Sequence, residues 1–536
     1  MKNTLTRAGL FAAILFLNGS VMTARATTFV VTNTNDSGAG SLRNAITQAN
    51  LNPGADVVSF DISPRHSLKT IVVQTNLPAI TDELTINGWS QGGPGYDGPP
   101  LIELRGNVRT FDNFGLRLQD GASNSLIRGL IINSFPTGVA IEIRKVTNVT
   151  VAGCYIGTSA DGNSALPNRE AILVGGYNCR IGGPNPRERN VLSGNGLGVH
   201  AVSYSVSTTI EGNYIGVSAS GSIALGNVVG IDLEDFGNDR IGGLTAGQRN
   251  VIAGNEFFGI IIQHGYDDRI QGNYIGTAAD GLTAMGNQHA GIRIEESFGT
   301  LIGGGNDSAG NVISANGSGI ELIDSSGNKI QNNLIGVAGN SITPLGNVVD
   351  GILIVRGNNN TIGGVKRQLL STPSGNTIAF NGRSGVRIDD ESIQNLISAN
   401  SIHHNLHLGI DLLPEGVTAN DSCDLDTGAN LLENFPVIES VTQANGFVTI
   451  TGNIFDPTRL PHQLEFFSNT DCNASGNGEG QRFIGSIIVA PTADCQAQFS
   501  ASFHRLLAPG EIITATATDA ARNTSEFSPC FFGVPR

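Results

Sequence analysis

Residues 269–304 read RIQGNYIGTAADGLTAMGNQHAGIRIEESFGTLIGG, and the fold is decided inside that stretch. It holds Gly272-Asn273-Tyr274-Ile275-Gly276, the alternating run Ile292-Arg293-Ile294 behind Gly291, and Ile302-Gly303-Gly304. Apolar residues at every second position, stopped within a few residues by Gly, Asn, Asp or Ser, describe short strands between tight turns. The runs are too short for helices.

Each element of the stretch recurs. Ile-Gly-Gly stands at Ile181, Ile241, Ile302 and Ile362, at intervals of 60, 61 and 60 residues. Gly-Asn-Tyr-Ile-Gly opens at Gly212 and Gly272, with a variant at Asn332, and Asn-Val-Ile or a near copy stands at Asn190, Asn250, Asn311 and Asn376. A glycine followed by apolar alternation marks Gly198, Gly230, Gly259, Gly291, Gly319, Gly351, Gly385 and Gly409. Three short runs with turns between them make one rung of a solenoid, so the long repeat is two unequal rungs. A single rung cannot bury its apolar side chains. Stacking at about 4.8 Å per rung lets equivalent residues build a continuous interior column. Gly and Asn fit the corners because both accept positive φ, and Asn at one corner of successive rungs can bond its neighbour's backbone as a ladder.

Ile-Gly-Gly, Asn-Val-Ile-Ser-x-Asn and Gly-Ile-x-Leu resemble the rungs of right-handed parallel β-helix proteins of the pectin-lyase-like superfamily, in particular a secreted bacterial subgroup. The resemblance covers roughly residues 28 to 415. It implies an all-β chain, a parallel β-helix followed by a small β-sandwich. It does not name a reaction, because that superfamily includes lyases, hydrolases, epimerases, adhesins and phage tailspikes.

The organisation expected along the chain is a signal peptide over 1–26, an N-terminal cap over 27–68, the β-helix over 69–413, a connector over 414–434 and an immunoglobulin-like β-sandwich over 435–536. Lys2 and Arg7, the apolar run Leu10–Leu17 and Ala24-Arg25-Ala26 carry the export signal. Ser41–Asn50 has helical spacing behind a capping serine and reads as a lid on the first rung. Beyond Phe435, runs such as Val448-Thr449-Ile450-Thr451 and Ile512–Ala517 read as antiparallel strands.

Composition sets limits on partners. The formal net charge is −15, falling to −18 once Lys2, Arg7 and Arg25 are removed, which argues against nucleic acid or an anionic membrane bound by charge. No second apolar stretch approaches membrane-spanning length, so no membrane insertion is expected. Six cysteines agree with an oxidising, secreted or cell-surface (or periplasmic) location. They allow 15 pairings; the local loops 154–179 and 472–495 are the expected ones, and no C-x-x-C suggests a metal.

Counting from the marker glycines stacks the outward residues. Two residues on lie His200, Asp232, Ile261, Arg293, Glu321, Leu353, Arg387 and Asp411; four on, Glu234, Gln263, Glu295 and Asp389 among others. Five on lie Ser203, Asp235, His264, Glu296, Asp324, Arg356 and Asp390, a column ionisable on every rung after the first. Adjacent members should stand roughly 5 Å apart and alternate members roughly 10 Å. Paired carboxylates about 5 to 9 Å apart serve glycoside hydrolysis, one giving a proton and the other acting as nucleophile or base. Asp235, Glu296, His264 and Asp232 are therefore the catalytic candidates, with Arg293, Glu295, Glu234, Asp324 and Arg356 as substrate-binding candidates. Glu234-Asp235, Gln263-His264-Gly265 and Arg293-Ile294-Glu295 also resemble the Asp pair, Gly-His-Gly and Arg-Ile-Lys of polygalacturonases. Glu295 replaces the Lys that would neutralise a sugar carboxylate, which turns the expectation toward a neutral glycan. Solvated surface charge is the competing account of the column.

Other clusters count for less. His403, His404 and His407 fall on strand and turn, where their spacing does not assemble zinc. No cofactor is expected; structural calcium in turns such as Asp161-Gly162-Asn163 and Gly305-Asn306-Asp307 remains open. Tyr155, Tyr214 and Tyr274, with Leu334 in the fourth place, read as a structural column. The leading expectation is an extracellular carbohydrate-active enzyme, a glycoside hydrolase whose partner is a polysaccharide or cell-surface glycan. Against it stand a surface adhesin or structural β-helix, and a polysaccharide lyase or epimerase. Homo-oligomers are common in the resembling superfamily.

Overall fold

The computed structural model describes residues 26–107, 112–203, 205–364, 375–389, 391–456, 460–491 and 495–533. The expected signal peptide, up to Arg25, and Asp390 of the ionisable column lie outside the described residues.

Three parallel sheets run the length of a solenoid. Sheet I has 13 strands, from Thr28–Val31 to Leu396–Ser398; sheet II has 12, from Lys69–Val73 to Ser401–His403; sheet III has 11, from Phe114–Gln119 to Ile410–Leu412. After the first pair, Thr28–Val31 with Asp56–Phe60, each strand of the three sheets pairs with the strands one rung away and not with its chain neighbour, which defines a parallel β-helix. The register builds the expected interior columns. Ile262, Ile294, Leu322, Ile354, Ile388 and Leu412 stack in line, all buried.

Asparagine ladders hold the corners. At the turn between sheets I and II, Asn190, Asn213, Asn250, Asn273, Asn311, Asn333 and Asn376 each donate Nδ2 to the next member's Oδ1, ending at Asn400. That same oxygen also accepts the preceding member's backbone N–H. A second ladder runs from Asn168 through Asn195, Asn227, Asn255, Asn287, Asn316, Asn347 and Asn381 to Asn405. Corner backbone, which the sheets leave unpaired, is satisfied in this way without water.

The third corner departs from asparagine. Asp239 accepts the N–H of Thr208 and Asp268 that of Asp239, before Asn328, Asn360, Asn395 and Asn430 resume the pattern. Burial pushes Asp239 up to about 7 and Asp268 up to about 8. The folded state therefore holds protons that the unfolded chain, with Asp near 3.9, releases. Stability from these groups is complete below pH 4 and lost as pH rises from about 4 to about 8. Asp268→Asn should flatten that loss. At pH 9 the variant is expected to gain on the order of 2 kcal/mol over wild type, and at pH 4 almost nothing, read as the shift in urea midpoint at each pH.

Both ends are closed. Leu42–Leu51 forms the expected helix, α1, with Ser41 accepting from Asn44 N–H and Leu42, Ala45, Ile46 and Ala49 buried on the first rung. The stretch 27–68 also supplies the first two strands of sheet I, Thr28–Val31 and Asp56–Phe60. At the far end stands an antiparallel module of two three-stranded sheets around its own core, which includes Val448, Ile450, Leu464, Phe466 and Ile513. Three buried carboxylates from this module accept the open backbone of the last rung, Glu465 from Ala399, Glu479 from His404 and Asn405, and Glu526 from Leu412, and Glu526 also accepts the N–H of Thr418 beyond it.

The disulfides correct the expected pairing. Cys423 joins Cys495 and Cys472 joins Cys530, while Cys154 and Cys179 are free and buried. Cys154 heads the first asparagine ladder, its N–H bonded to Asn190 Oδ1, whereas Cys179 lies at the turn from sheet III to sheet I. The two face the interior at different corners of the cross-section. Cys472 follows the end of strand His462–Asn469, and Cys495 precedes strand Gln496–His504 in the other sheet, beside Asp456 at the opposite end of the module. Nearness in sequence was a poor guide because the strands between carry the cysteines apart.

Candidate functional site

The outer face of sheet III carries the expected columns in register. His200, Asp232, Ile261, Arg293, Glu321, Leu353, Arg387 and Asp411 stand on consecutive rungs. Glu234, Gln263 and Glu295 form the neighbouring line. Asp235, His264, Glu296, Asp324 and Arg356 occupy the corner, where φ is 48–55°. This left-handed turn breaks the alternation, so Glu234 and Asp235 both stay outside.

The corner is a chain of exposed polar contacts. Ser203 Oγ donates to Asp235 at 3.1 Å. His264 stands 3.7 Å from Asp235 and 3.3 Å from Glu296, with the three side chains 57, 53 and 60% exposed. Asp324 and Arg356 form a bidentate pair, both contacts 2.7 Å, which holds the Asp324 carboxyl below its usual range. So the corner residues are brought together, but as a ridge standing in water.

One step in from the ridge the environment changes. His200 Nδ1 lies 3.2 Å from Glu170 and Nε2 3.5 Å from Glu234. One ligand atom each from His200, Asp232 and Glu234 falls within 4.8 Å of the others, a spacing that could also hold a cation. Asp232 Oδ1 is buried without a hydrogen-bond partner. Burial is the main force pushing Asp232 up to about 6; His200 opposes it, and Glu234 and Glu170 reinforce it. Burial works against a charged His200, yet Glu170, Asp232 and Glu234 outweigh it and raise its pKa. Arg293 is held by Glu295 at 3.2 Å and Glu321 at 3.0 Å over the ring of Phe258, so its charge is already balanced.

Next to His200 and Asp232, toward the N-terminus, the same face opens into a cleft of about 480 Å³ lined by Gln119, Asp120, Glu142, Arg144, Lys145 and Ser203 among others. The sequence count missed Arg144 and Lys145. On their rung and the next, Ala140 and Ala171 take the place of the marker glycine, in register with Gly198. Counting from alanine at that position would have found them.

The remaining clusters resolve into structure. His403 and His404 touch each other, while His407 turns to Glu415, so the three histidines do not converge. Asp161 Oδ1 is spent on its own turn, accepting Ser159 Oγ and Asn163 N–H, and Asn306 caps the short turn Asp307–Ala309. Tyr214 and Tyr274 alternate with Val251 and Val312 in sheet II, each covered by an arginine, Arg189 and Arg249, at 4.2 Å. That is a structural column.

No family model and no curated protein matches the chain. Among solved structures it is similar to the A-module of mannuronan C-5 epimerase AlgE4 from Azotobacter vinelandii, at 13% identity over 71% of this chain and 89% of that one, TM-score 0.37. It is also similar to the periplasmic alginate epimerase AlgG, at 13% identity over 72% and 75%, TM-score 0.31. A third is PfbA, a surface adhesin of Streptococcus pneumoniae, at 11% over 80% and 98%, TM-score 0.33. The sheet register defines this chain as a parallel β-helix protein with a C-terminal antiparallel module, and at these scores the neighbours add no argument about its chemistry.

Proposed function

We propose that the chain is a secreted glycoside hydrolase that binds a polysaccharide across the outer face of sheet III, with Asp232 as the proton donor and Glu234 as the second carboxylate. Asp232 carries the reading: half-buried, with an unpartnered oxygen, and titrating near 6, it can hold a proton for a leaving oxygen close to neutral pH. Oxygens of Asp232 and Glu234 within 4.8 Å suit the short separation of retaining enzymes, in which the second carboxylate attacks the sugar. His200, held by Glu170, sits where it orients both. Asp235, His264 and Glu296 line the chain's path beside this pair, and the cleft at Arg144 gives it room. Two disulfides fit an oxidising, extracytoplasmic location, and among the described residues no helix is long and apolar enough to cross a membrane.

Arg144, at the edge of the cleft and paired with Glu142, favours a second reading, a lyase or epimerase acting on a uronate that its guanidinium would help neutralise. A screen of residues 27–536 over neutral and uronate polysaccharides separates the readings. New reducing ends without unsaturated-uronate absorbance, lost in Asp232→Asn, are expected. Absorbance, or inversion at C5 without cleavage, would replace hydrolysis by uronate chemistry. Polysaccharide retention with no turnover would make the face a binding or adhesive surface.

A further inference from the structure

A second group of ionisable side chains lies far from sheet III, where the connector meets the antiparallel module. Glu433 follows the turn Ala429–Leu432, Asp456 follows strand Phe447–Phe455, and His462 opens strand His462–Asn469. All three are at most 3% exposed. His462 Nε2 stands 3.3 Å from Glu433 Oε1 and 3.4 Å from Asp456 Oδ2. Glu433 Oε1 and His462 Nε2 are buried without hydrogen-bond partners. On its other side, His462 Nδ1 meets the Leu460 carbonyl at 3.0 Å.

Those facts constrain one another. The Leu460 carbonyl accepts a hydrogen bond only if Nδ1 carries the proton, which leaves Nε2 of a neutral ring with its lone pair aimed at two carboxylates. Three electron-rich atoms then face one another in the interior, two of them without a hydrogen-bond partner, an arrangement that a proton or a cation between them would relieve. A proton on Nε2 is one answer, but a charge-assisted N–H···O bond should close to about 2.7–2.9 Å, and one N–H cannot point at two oxygens well. A metal is the other. Zinc bonds of about 2.0–2.1 Å at tetrahedral angles hold ligand atoms roughly 3.4 Å apart, the spacing seen here. The donor set of imidazole with two carboxylates suits a first-row metal and not calcium or magnesium, which take oxygen only, and the tetrahedral spacing points to zinc among them. A ring nitrogen fixed by a backbone carbonyl is also how metal-bound histidines are oriented.

We propose that Glu433, Asp456 and His462 form a structural zinc site that ties the connector to the antiparallel module. The site works alongside the Cys423–Cys495 bridge, since Cys495 O accepts the Asp456 N–H. It is independent of any chemistry on sheet III.

The test uses the full oxidised chain from residue 27, prepared without a metal-binding tag. Mass spectrometry of the metal content should find about one zinc per chain after dialysis. Stripping with a chelator should lower the melting temperature by more than about 3 °C, and zinc chloride, but not calcium chloride, should restore it. Asp456→Asn and His462→Gln should hold less than about a tenth of a zinc per chain and melt alike with or without added zinc. If a variant fails to fold, the wild-type measurements decide alone. Wild-type protein with no bound zinc and no melting response to it would overturn the proposal and leave a proton holding the three groups together. Rescue by calcium would overturn the assignment to zinc.

Discussion

Asp232→Asn is expected to cut polysaccharide cleavage by at least about 10²-fold, and by about 10³-fold on substrates with poor leaving groups. Asparagine keeps the shape and cannot deliver a proton. In the wild type, kcat/KM should fall as pH rises through about 6, because burial holds the Asp232 proton only to that point. That alkaline limb should vanish from the residual activity of the variant. Glu234→Gln should cost a similar factor and prevent trapping of a glycosyl-enzyme by a slow substrate. The exposed corner gives the contrast. Asp235→Asn and Glu296→Gln act on side chains more than half in water and should change KM more than kcat, by less than about tenfold. A profile abolished by Glu296→Gln and unmoved by Asp232→Asn would transfer the chemistry from the buried step to the ridge.

That contrast marks what could be read from sequence. Strand alternation and the recurring glycines place Asp232, Glu234, Asp235, His264 and Glu296 on known rungs, and the register agrees residue by residue. Spacing says which residues are neighbours; it says nothing of depth. Asp235 and Glu296 drew notice because their column is unbroken, yet a left-handed corner pushes that column into solvent. Asp232 lies only three positions earlier, in a column interrupted by Ile261 and Leu353, and Ile261 on the very next rung belongs to the drier environment that lifts its pKa. Glu170 was invisible for another reason. It reaches His200 from the preceding rung, where the marker glycine is Ala171, so counting from glycines skipped the strand. The cluster of Glu433, Asp456 and His462 joins residues from connector, loop and strand with no repeat between them, and only the fold brings them together. The disulfides failed similarly, because strand direction in the module, not loop length, decides which cysteines meet.

Asn273→Ala should be among the most destabilising single changes in the solenoid. Its Nδ2 donates to the carbonyls of Ile241 and Gln271 and to Asn311 Oδ1, and its Oδ1 accepts from Asn250. Alanine takes the Asn250 N–H from its acceptor and strips one bond each from Ile241 O, Gln271 O, Asn311 Oδ1 and Asn250 Nδ2, of which Gln271 O keeps the Gly243 N–H and Asn311 Oδ1 keeps the backbone N–H of residue 273. At roughly 1–3 kcal/mol for each orphaned group, partly relieved by relaxation, the loss should be about 4 kcal/mol. Asn163→Ala, in an exposed turn, should cost less than about 0.5 kcal/mol. Hydrogen exchange should show where the loss falls: rungs from Asn250 to Asn311 should open first, since each rung is stabilised by its neighbours, while the antiparallel module keeps its protection. Asn273→Asp separates shape from charge. The third ladder already carries aspartates, and burial keeps Asp239 and Asp268 protonated up to about 7 and 8. An aspartate at 273 should therefore be tolerated near pH 4, where the neutral acid still bonds its neighbours. Its stability should then fall away as pH rises above the unfolded-state value. A variant equally weak at both pH values would mean that the ladder depends on the second amide proton, and not on the absence of charge.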